Sequence, residues 1–199
     1  MRVAEVLQGR LTNNLDKAAT DALVKSGGAI DNVTGQPLLS MSQLTNAQKS
    51  AAGELFGENT VKQIVPEGTK LARVPGVGET GIDDLYKVSR PDVDYVNIEY
   101  KFVTDPKKAG SSSLDSTLDG KQGSQSWLMG SDRLERSVGA DTAIDVRKAI
   151  NSGRTETWVV RTYADGSTEI QVLDAMGKPK IVDTSKLLPS WPANGGAKP

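Results

Sequence analysis

The chain has 199 residues, a net charge of -1, 25% charged residues and 37% hydrophobic ones, room for one ordinary domain plus a short extra segment. It contains no histidine and no cysteine, which excludes Ser-His-Asp and Cys-His hydrolases, zinc proteases, zinc-dependent deaminases, zinc fingers and histidine-based nucleases, and leaves carboxylate, lysine and hydroxyl chemistry. With a pI near 5.6 any nucleic-acid site must be a local patch. No apolar run approaches the ~18 residues of a membrane span, so no stable membrane insertion is expected, and Met1 to Arg10 lacks the basic-then-apolar plan of a signal peptide.

In chain order, residues 1–42 read as a leading segment for delivery or linkage, with turn signals at Ser26-Gly27-Gly28 and Thr34-Gly35-Gln36-Pro37. The principal domain is expected over 43–187. Thr45-Asn46-Ala47-Gln48 fits a capping box opening a helix with Ala47, Ala51 and Leu55 along one face. That helix ends near Phe56 or resumes through Ile64. Glu54 and Glu58 share a side if it continues past Gly57. After a turn at Pro75-Gly76-Val77-Gly78, a strand is expected over Gly81–Val88, then a turn around Arg90-Pro91-Asp92 and a second strand over Tyr95–Phe102. Its period of two puts Val96, Ile98, Tyr100 and Phe102 on a core face, and Asn97, Glu99 and Lys101 on a polar one. Asp105–Gly120 reads as a loop. Trp127 is assigned to the core. Ser131–Ile150 reads as one or two helices with Leu134, Val138, Ile144 and Ile150 inward. Glu156–Tyr163 and Thr168–Leu173 flank Asp165-Gly166 as a hairpin, and 188–199 is a frayed, proline-containing tail.

Two residues apart on one strand, Glu99 and Lys101 sit roughly 7 Å apart and point the same way. They bring a carboxylate and an ammonium to one small volume. Asp83 or Asp84 from the neighbouring strand completes an oxygen-rich pocket for a hard divalent cation such as magnesium or manganese. Such an ion polarises a phosphoryl oxygen and acidifies its bound water, and a lysine stabilises the developing charge. Lys87, Arg90, Lys107, Lys108, Lys121 and Arg133 are candidates for a phosphate-contacting rim, though each alone reads more simply as a solvated charge.

Gly81-Ile82-Asp83, then Glu99-Tyr100-Lys101, then Gln122-Gly123-Ser124 leading to Trp127, together resemble the PD-(D/E)XK nuclease domains at the C-termini of bacterial polymorphic toxins of the contact-dependent inhibition, filamentous haemagglutinin-like and Rhs types. The resemblance covers about residues 45 to 140. It implies an α/β fold with a restriction-endonuclease-like core, a small mixed sheet flanked by helices, with the two motif strands side by side in its middle. It also implies Asp83 and Glu99 as metal ligands, Lys101 as the catalytic lysine, Gln122 as an auxiliary active-site residue and Glu54 as the acid supplied by the first helix. The chain departs from the pattern at Asp84, where a small residue is commoner, and at Gly123, where a methionine is expected.

The expected activity is metal-dependent phosphodiester hydrolysis, with magnesium or manganese ahead of zinc, on DNA ahead of tRNA. The resemblance further implies delivery from a secreted or surface protein, action in the target-cell cytoplasm and a cognate immunity protein. A non-catalytic binding module is the rival of a different class, and a metal titration separates the two.

Overall fold

A computed structural model describes residues 29–30, 37–38, 46–71, 81–105, 107, 114–163 and 168–181. In chain order the elements are β1 (Ala29–Ile30), β2 (Pro37–Leu38), α1 (Asn46–Ile64), β3 (Thr69–Lys70), β4 (Asp84–Arg90), β5 (Val93–Val103), β6 (Ser116–Thr117), β7 (Gly120–Lys121), α2 (Gln125–Met129), α3 (Arg133–Val138), α4 (Ala140–Asn151), β8 (Thr155–Tyr163) and β9 (Thr168–Leu173). Five strands form one sheet in the order β3-β4-β5-β8-β9, while β1 with β2 and β6 with β7 form two-stranded ribbons.

β4 and β5 pair antiparallel, with Asp84 opposite Ile98 and Leu85 opposite Asn97. The starts of β5 and β8 lie side by side: the Asp94 N–H donates to Arg154 O at 2.8 Å, and the Arg154 guanidinium grips the Asp94 carboxylate with two bonds of 2.7 Å. These neighbours therefore run in the same direction. The sheet is mixed and the chain is α/β, with the two motif strands adjacent at the centre.

The described residues fall into two compact units, one within Met1–Thr60, Tyr100–Ala109 and Val160–Ile170, the other within Val61–Glu99, Gly110–Val159 and Gln171–Pro199. In the first unit, α1 rests on the sheet through two glycines one turn apart. A Cβ on Gly57 would lie 2.3 Å from Tyr100 Cδ1 and 3.3 Å from Val160 Cγ1, and one on Gly53 would lie 3.3 Å from the Phe102 nitrogen. The Thr162 hydroxyl donates to Gly53 O at 3.3 Å, and the Thr60 hydroxyl donates to Phe56 O at 3.0 Å.

Gly57 is thus a packing residue inside a continuous helix and not a helix end. The buried stripe of α1 is Gly53, Phe56, Gly57, Thr60 and Val61, spaced at three and four residues, whereas Leu55 of the expected stripe is only half-buried. Gly57→Ala sets a helix-propensity gain of about 1 kcal/mol against overpacking on a buried ring, worth about 1–3 kcal/mol. At 2.3 Å the clash prevails, so this variant should melt below the wild type in thermal denaturation. A higher melting temperature would mean that the helix stands further off the sheet.

In the second unit, Ile82, Leu85 and Tyr95 pack with Trp127, Leu128, Leu134, Ala143, Val146, Ala149 and Ile150, and Leu71, Met129 and Val138 close the edge of the cluster. Trp127 and Leu134 are in the core as expected. Ile144 is not: it is 52% exposed. The reason is the break at Gly139, whose φ of +81° ends α3 and starts α4. That break resets the helical phase, and α4 turns Ala143, Val146, Ala149 and Ile150 inward instead. The expected loop before Gly120 contains the β6–β7 ribbon, and the first motif strand begins at Asp84 and not at Gly81. The turn at Pro75–Gly78, the Asp165-Gly166 turn, the tail and Thr45 of the capping box lie outside the described residues.

Arg147 joins α4 to α3, with bonds of 2.7 and 2.8 Å from one guanidinium nitrogen to the two oxygens of Glu135. The Arg147 hydrogen bonds hold the Glu135 carboxyl below its ordinary value of 4.5. A depressed folded-state value means that the unfolded chain takes up the proton first. The contribution of the pair is therefore complete above the ordinary value and is lost as the pH falls below it. Melting temperatures measured between pH 6 and pH 3 should fall less steeply for Glu135→Gln than for the wild type. Equal slopes would remove this pair as a source of acid sensitivity.

Candidate functional site

β5 is the middle strand of the sheet and is covered on both sides from Tyr95 to Tyr100. On its polar face Glu99 is 0% and Asn97 2% exposed. Leu85, opposite Asn97, and Tyr95 draw the layer of α2, α3 and α4 onto this face through their shared apolar cluster. A carboxylate so deep in a sheet is costly unless it is bonded. Here the bond comes from the third motif: Gln122 Nε2 donates to Glu99 Oε2 at 2.6 Å.

Local structure fixes Gln122. It follows the β6–β7 ribbon, its N–H donates to Asp115 O at 2.8 Å, and Ser124 then caps α2 by accepting from the Trp127 N–H at 3.2 Å. Gly123 between them has a φ of +81°, and a Cβ there would lie 2.9 Å from Leu173 Cδ1 and 3.2 Å from Thr157 Cγ2. The methionine expected at this position would fit neither the backbone nor the space. Glycine allows the chain to reverse while keeping the Gln122 side chain on Glu99.

Of the two adjacent acids the ladder places Asp84 alone. Asp84, opposite Ile98, belongs to the Val96 and Ile98 side, is 5% exposed and pairs with Lys70 at 2.9 Å. Asp83, half-buried and one residue earlier, precedes β4, so the pairing with β5 does not set its side. Lys101, also half-buried, follows Glu99 by two residues on β5 and so shares its face. Glu54 is exposed on α1, and α1 packs against the Tyr100 and Phe102 side of the sheet. It thus sits on a helix covering the face opposite Lys101.

The basic rim separates on inspection. Lys121 is half-buried beside Gln122. Lys87, exposed and opposite Tyr95, is four residues along the strands from the level of Glu99, roughly 13 Å. Lys107 is exposed, with its N–H bonded to Asp105, and Lys108 lies outside the described residues. Arg133 and Arg90 are internal clamps: Arg133 bonds Asp119, Trp127 O and Gly130 O and lies over the Trp127 ring, while Arg90 bonds Glu67 and Ile64 O. Neither guanidinium is a solvated charge.

Two buried amides near Glu99 carry atoms with no hydrogen-bond partner among the described residues: Gln122 Oε1, and both Oδ1 and Nδ2 of Asn97. Leaving such groups unsatisfied costs about 1–3 kcal/mol each, and this is tolerated where a ligand or ordered water completes the set. Asn97 was visible in the alternation of β5 but was not singled out as a site residue. Arg161 was missed as well, although a lone cation within Trp158-Val159-Val160-Arg161-Thr162 is a signal in itself.

Among the described residues no three Asp or Glu side chains gather closely enough to hold a metal ion. The candidate donor set is two carboxylates, Asp83 and Glu99. That number suits magnesium or manganese, which commonly take one or two protein carboxylates and fill their remaining positions with water and phosphate oxygens. Zinc fits less well, as the chain has neither histidine nor cysteine. Comparisons of the chain with protein-family models, with curated proteins and with solved structures find no match. No helix of the described residues is long and apolar enough to cross a membrane.

Proposed function

We propose that this chain is a metal-dependent nuclease with a restriction-endonuclease-like core, acting as the toxic C-terminal domain of a bacterial competition protein. The observation that carries the reading is the 2.6 Å hydrogen bond between Gln122 and the fully buried Glu99. It joins side chains 23 residues apart whose motifs had been linked only by resemblance. Asp83 and Glu99 would hold the metal. A bound magnesium or manganese ion supplies Lewis-acid polarisation of the phosphoryl oxygen and a water of lowered pKa.

The chain's own residues do the rest. Gln122 holds the Glu99 carboxylate in one orientation, and such supporting bonds commonly change metal affinity or activity by about 10–100-fold. Lys101 offers its ammonium hydrogens to the oxygens on which negative charge grows during P–O cleavage, where preorganised charge is most effective. Closed cover around β5 limits water near these groups and strengthens their electrostatics. DNA is the favoured substrate and tRNA the second. A toxin acting in the target-cell cytoplasm also requires a cognate immunity protein in the producing cell.

The test is purified protein incubated with plasmid DNA and with total tRNA, in magnesium, in manganese, in zinc and in chelator, alongside melting curves in the same metals. Cleavage that needs a divalent ion, together with a rise in melting temperature from the ion alone, is the expected result. Neither cleavage nor a metal-dependent rise would leave a non-catalytic binding module as the better reading.

A further inference from the structure

Arg161 is a buried cation whose counter-ion is not in the described fold. It is 0% exposed, and none of its three guanidinium nitrogens has an acceptor among the described residues. Burial lowers its pKa, with Glu169 and Tyr163 acting in the opposite direction, but a guanidinium does not give up its proton in proteins. The positive charge therefore stays, at an energetic cost that a partner would relieve. Glu169 does not fill that role, because it is exposed and accepts the Tyr163 hydroxyl, and the buried Glu99 on β5 does not fill it either, because no Arg161 nitrogen bonds it.

The alternation of two strands in the first unit gives the position of the group. On β8, Val160 and Thr162 turn toward α1, reaching Gly57 and Gly53, and on β5 Tyr100 and Phe102 do the same. Lys101 and Arg161, at the intervening positions, belong to the opposite face of adjacent strands. Lys101 lies seven residues beyond Asp94 and Arg161 seven beyond Arg154, the pair that joins the strand starts. The two cations therefore stand at the same level of the sheet.

We propose that Arg161, with Lys101 beside it, binds the oxygens of a phosphodiester group of the nucleic acid, an assignment that rests on the nuclease reading for the source of the phosphate. A guanidinium presents five donors in a planar fork that matches two phosphate oxygens at once. Lys101 adds a second positive charge from the next strand, and two cations at one level suit a ligand whose charge is spread over several oxygens. The guanidinium is already out of water, so only the phosphate has hydration to shed on pairing, and the attraction acts in a water-poor setting. In this arrangement Arg161 is a substrate-binding residue, and the phosphate takes the place of the missing counter-ion.

The experiment uses inorganic phosphate as the probe, with chelator present, no metal, and chloride at matched ionic strength as the control. Phosphate should raise the melting temperature of the full chain by several degrees, since it binds only the folded state, and Arg161→Met should lose most of that rise. In phosphate-free buffer Arg161→Met should melt at or above the wild type, because it removes an unpaired buried charge. Arg161→Lys, which keeps the charge and loses the fork, should retain less than half of the phosphate response. An Arg161→Met protein that melts far below the wild type, or fails to fold, would overturn the proposal by revealing a structural partner within the chain. A phosphate response equal in wild type and Arg161→Met would overturn it too. Cleavage assays separate the two readings: a phosphate response through Arg161 without cleavage sinks the nuclease assignment alone, and cleavage without that response sinks this one alone.

Discussion

Glu99→Gln should reduce metal-dependent cleavage by about 10³-fold or more while leaving the fold intact, and Lys101→Ala should do the same. Loss of one preorganised electrostatic group in a water-poor site typically costs about 10²–10³ in rate, and in the proposed nuclease Glu99 is a metal ligand as well. The Gln side chain keeps the size of Glu99 and still offers an oxygen to Gln122 Nε2, which now donates at 2.6 Å. Stability should therefore be little changed, because a buried carboxylate is replaced by a neutral amide. The neighbouring acids make a sharper comparison. Asp83→Ala should lose activity, since in the proposed nuclease Asp83 holds the metal with Glu99. Asp84→Ala should lose the 2.9 Å pair with Lys70 and some stability, but keep its activity per folded molecule. Initial rates on plasmid DNA, set beside melting curves, separate these effects. An inactive, fully folded Asp84→Ala with an active Asp83→Ala would mean that the first strand is read one residue out of register.

Trp158→Ala should be the most destabilising single change considered, by about 3–5 kcal/mol, and should lower the melting temperature by roughly 10 °C or more. Trp158 is 0% exposed, its indole N–H donates to Glu156 at 2.8 Å, and the Arg90 guanidinium carbon lies 5.6 Å from its ring centroid. Arg90 is held in turn by Glu67 at 2.7 Å and by Ile64 O at 2.9 Å. Removing the indole leaves a cavity and also takes away the surface on which that cation rests. Trp158→Phe, which keeps a ring but loses the N–H, should cost only a fraction as much. Chemical denaturation of both variants at neutral pH gives the comparison. Near-equal losses would place the main contribution of Trp158 in its hydrogen bond and not in its volume.

Local physics read from the sequence was most dependable where one element carries the whole signal. The period of two in Tyr95–Phe102 located β5 because alternation is a property of a single strand. The lack of histidine and cysteine restricted the chemistry without reference to any fold. The helices after Trp127 were legible from their spacing, yet Ile144 went to the wrong side, since a break at one glycine changes the phase of everything that follows. Gly57 read as a helix end because propensity is local, whereas the reason for a glycine there is the Tyr100 ring of another element.

By itself, then, the sequence determined an α/β chain restricted to carboxylate, lysine and hydroxyl chemistry, with Glu99 and Lys101 on one face of a strand and an unresolved choice between Asp83 and Asp84. Only tertiary structure decided the rest. Pairing with β5 put Asp84 on the Ile98 side, away from Glu99, because opposite residues of an antiparallel ladder must share a side. Cover from α2, α3 and α4 buried Asn97 and Glu99 of the polar row. The turn at Gly123 brought Gln122 to Glu99, and the adjacency of β5 and β8 set Arg161 level with Lys101. Each of these depends on residues far apart in the chain meeting at one place, and no period or propensity within a single segment encodes such a meeting.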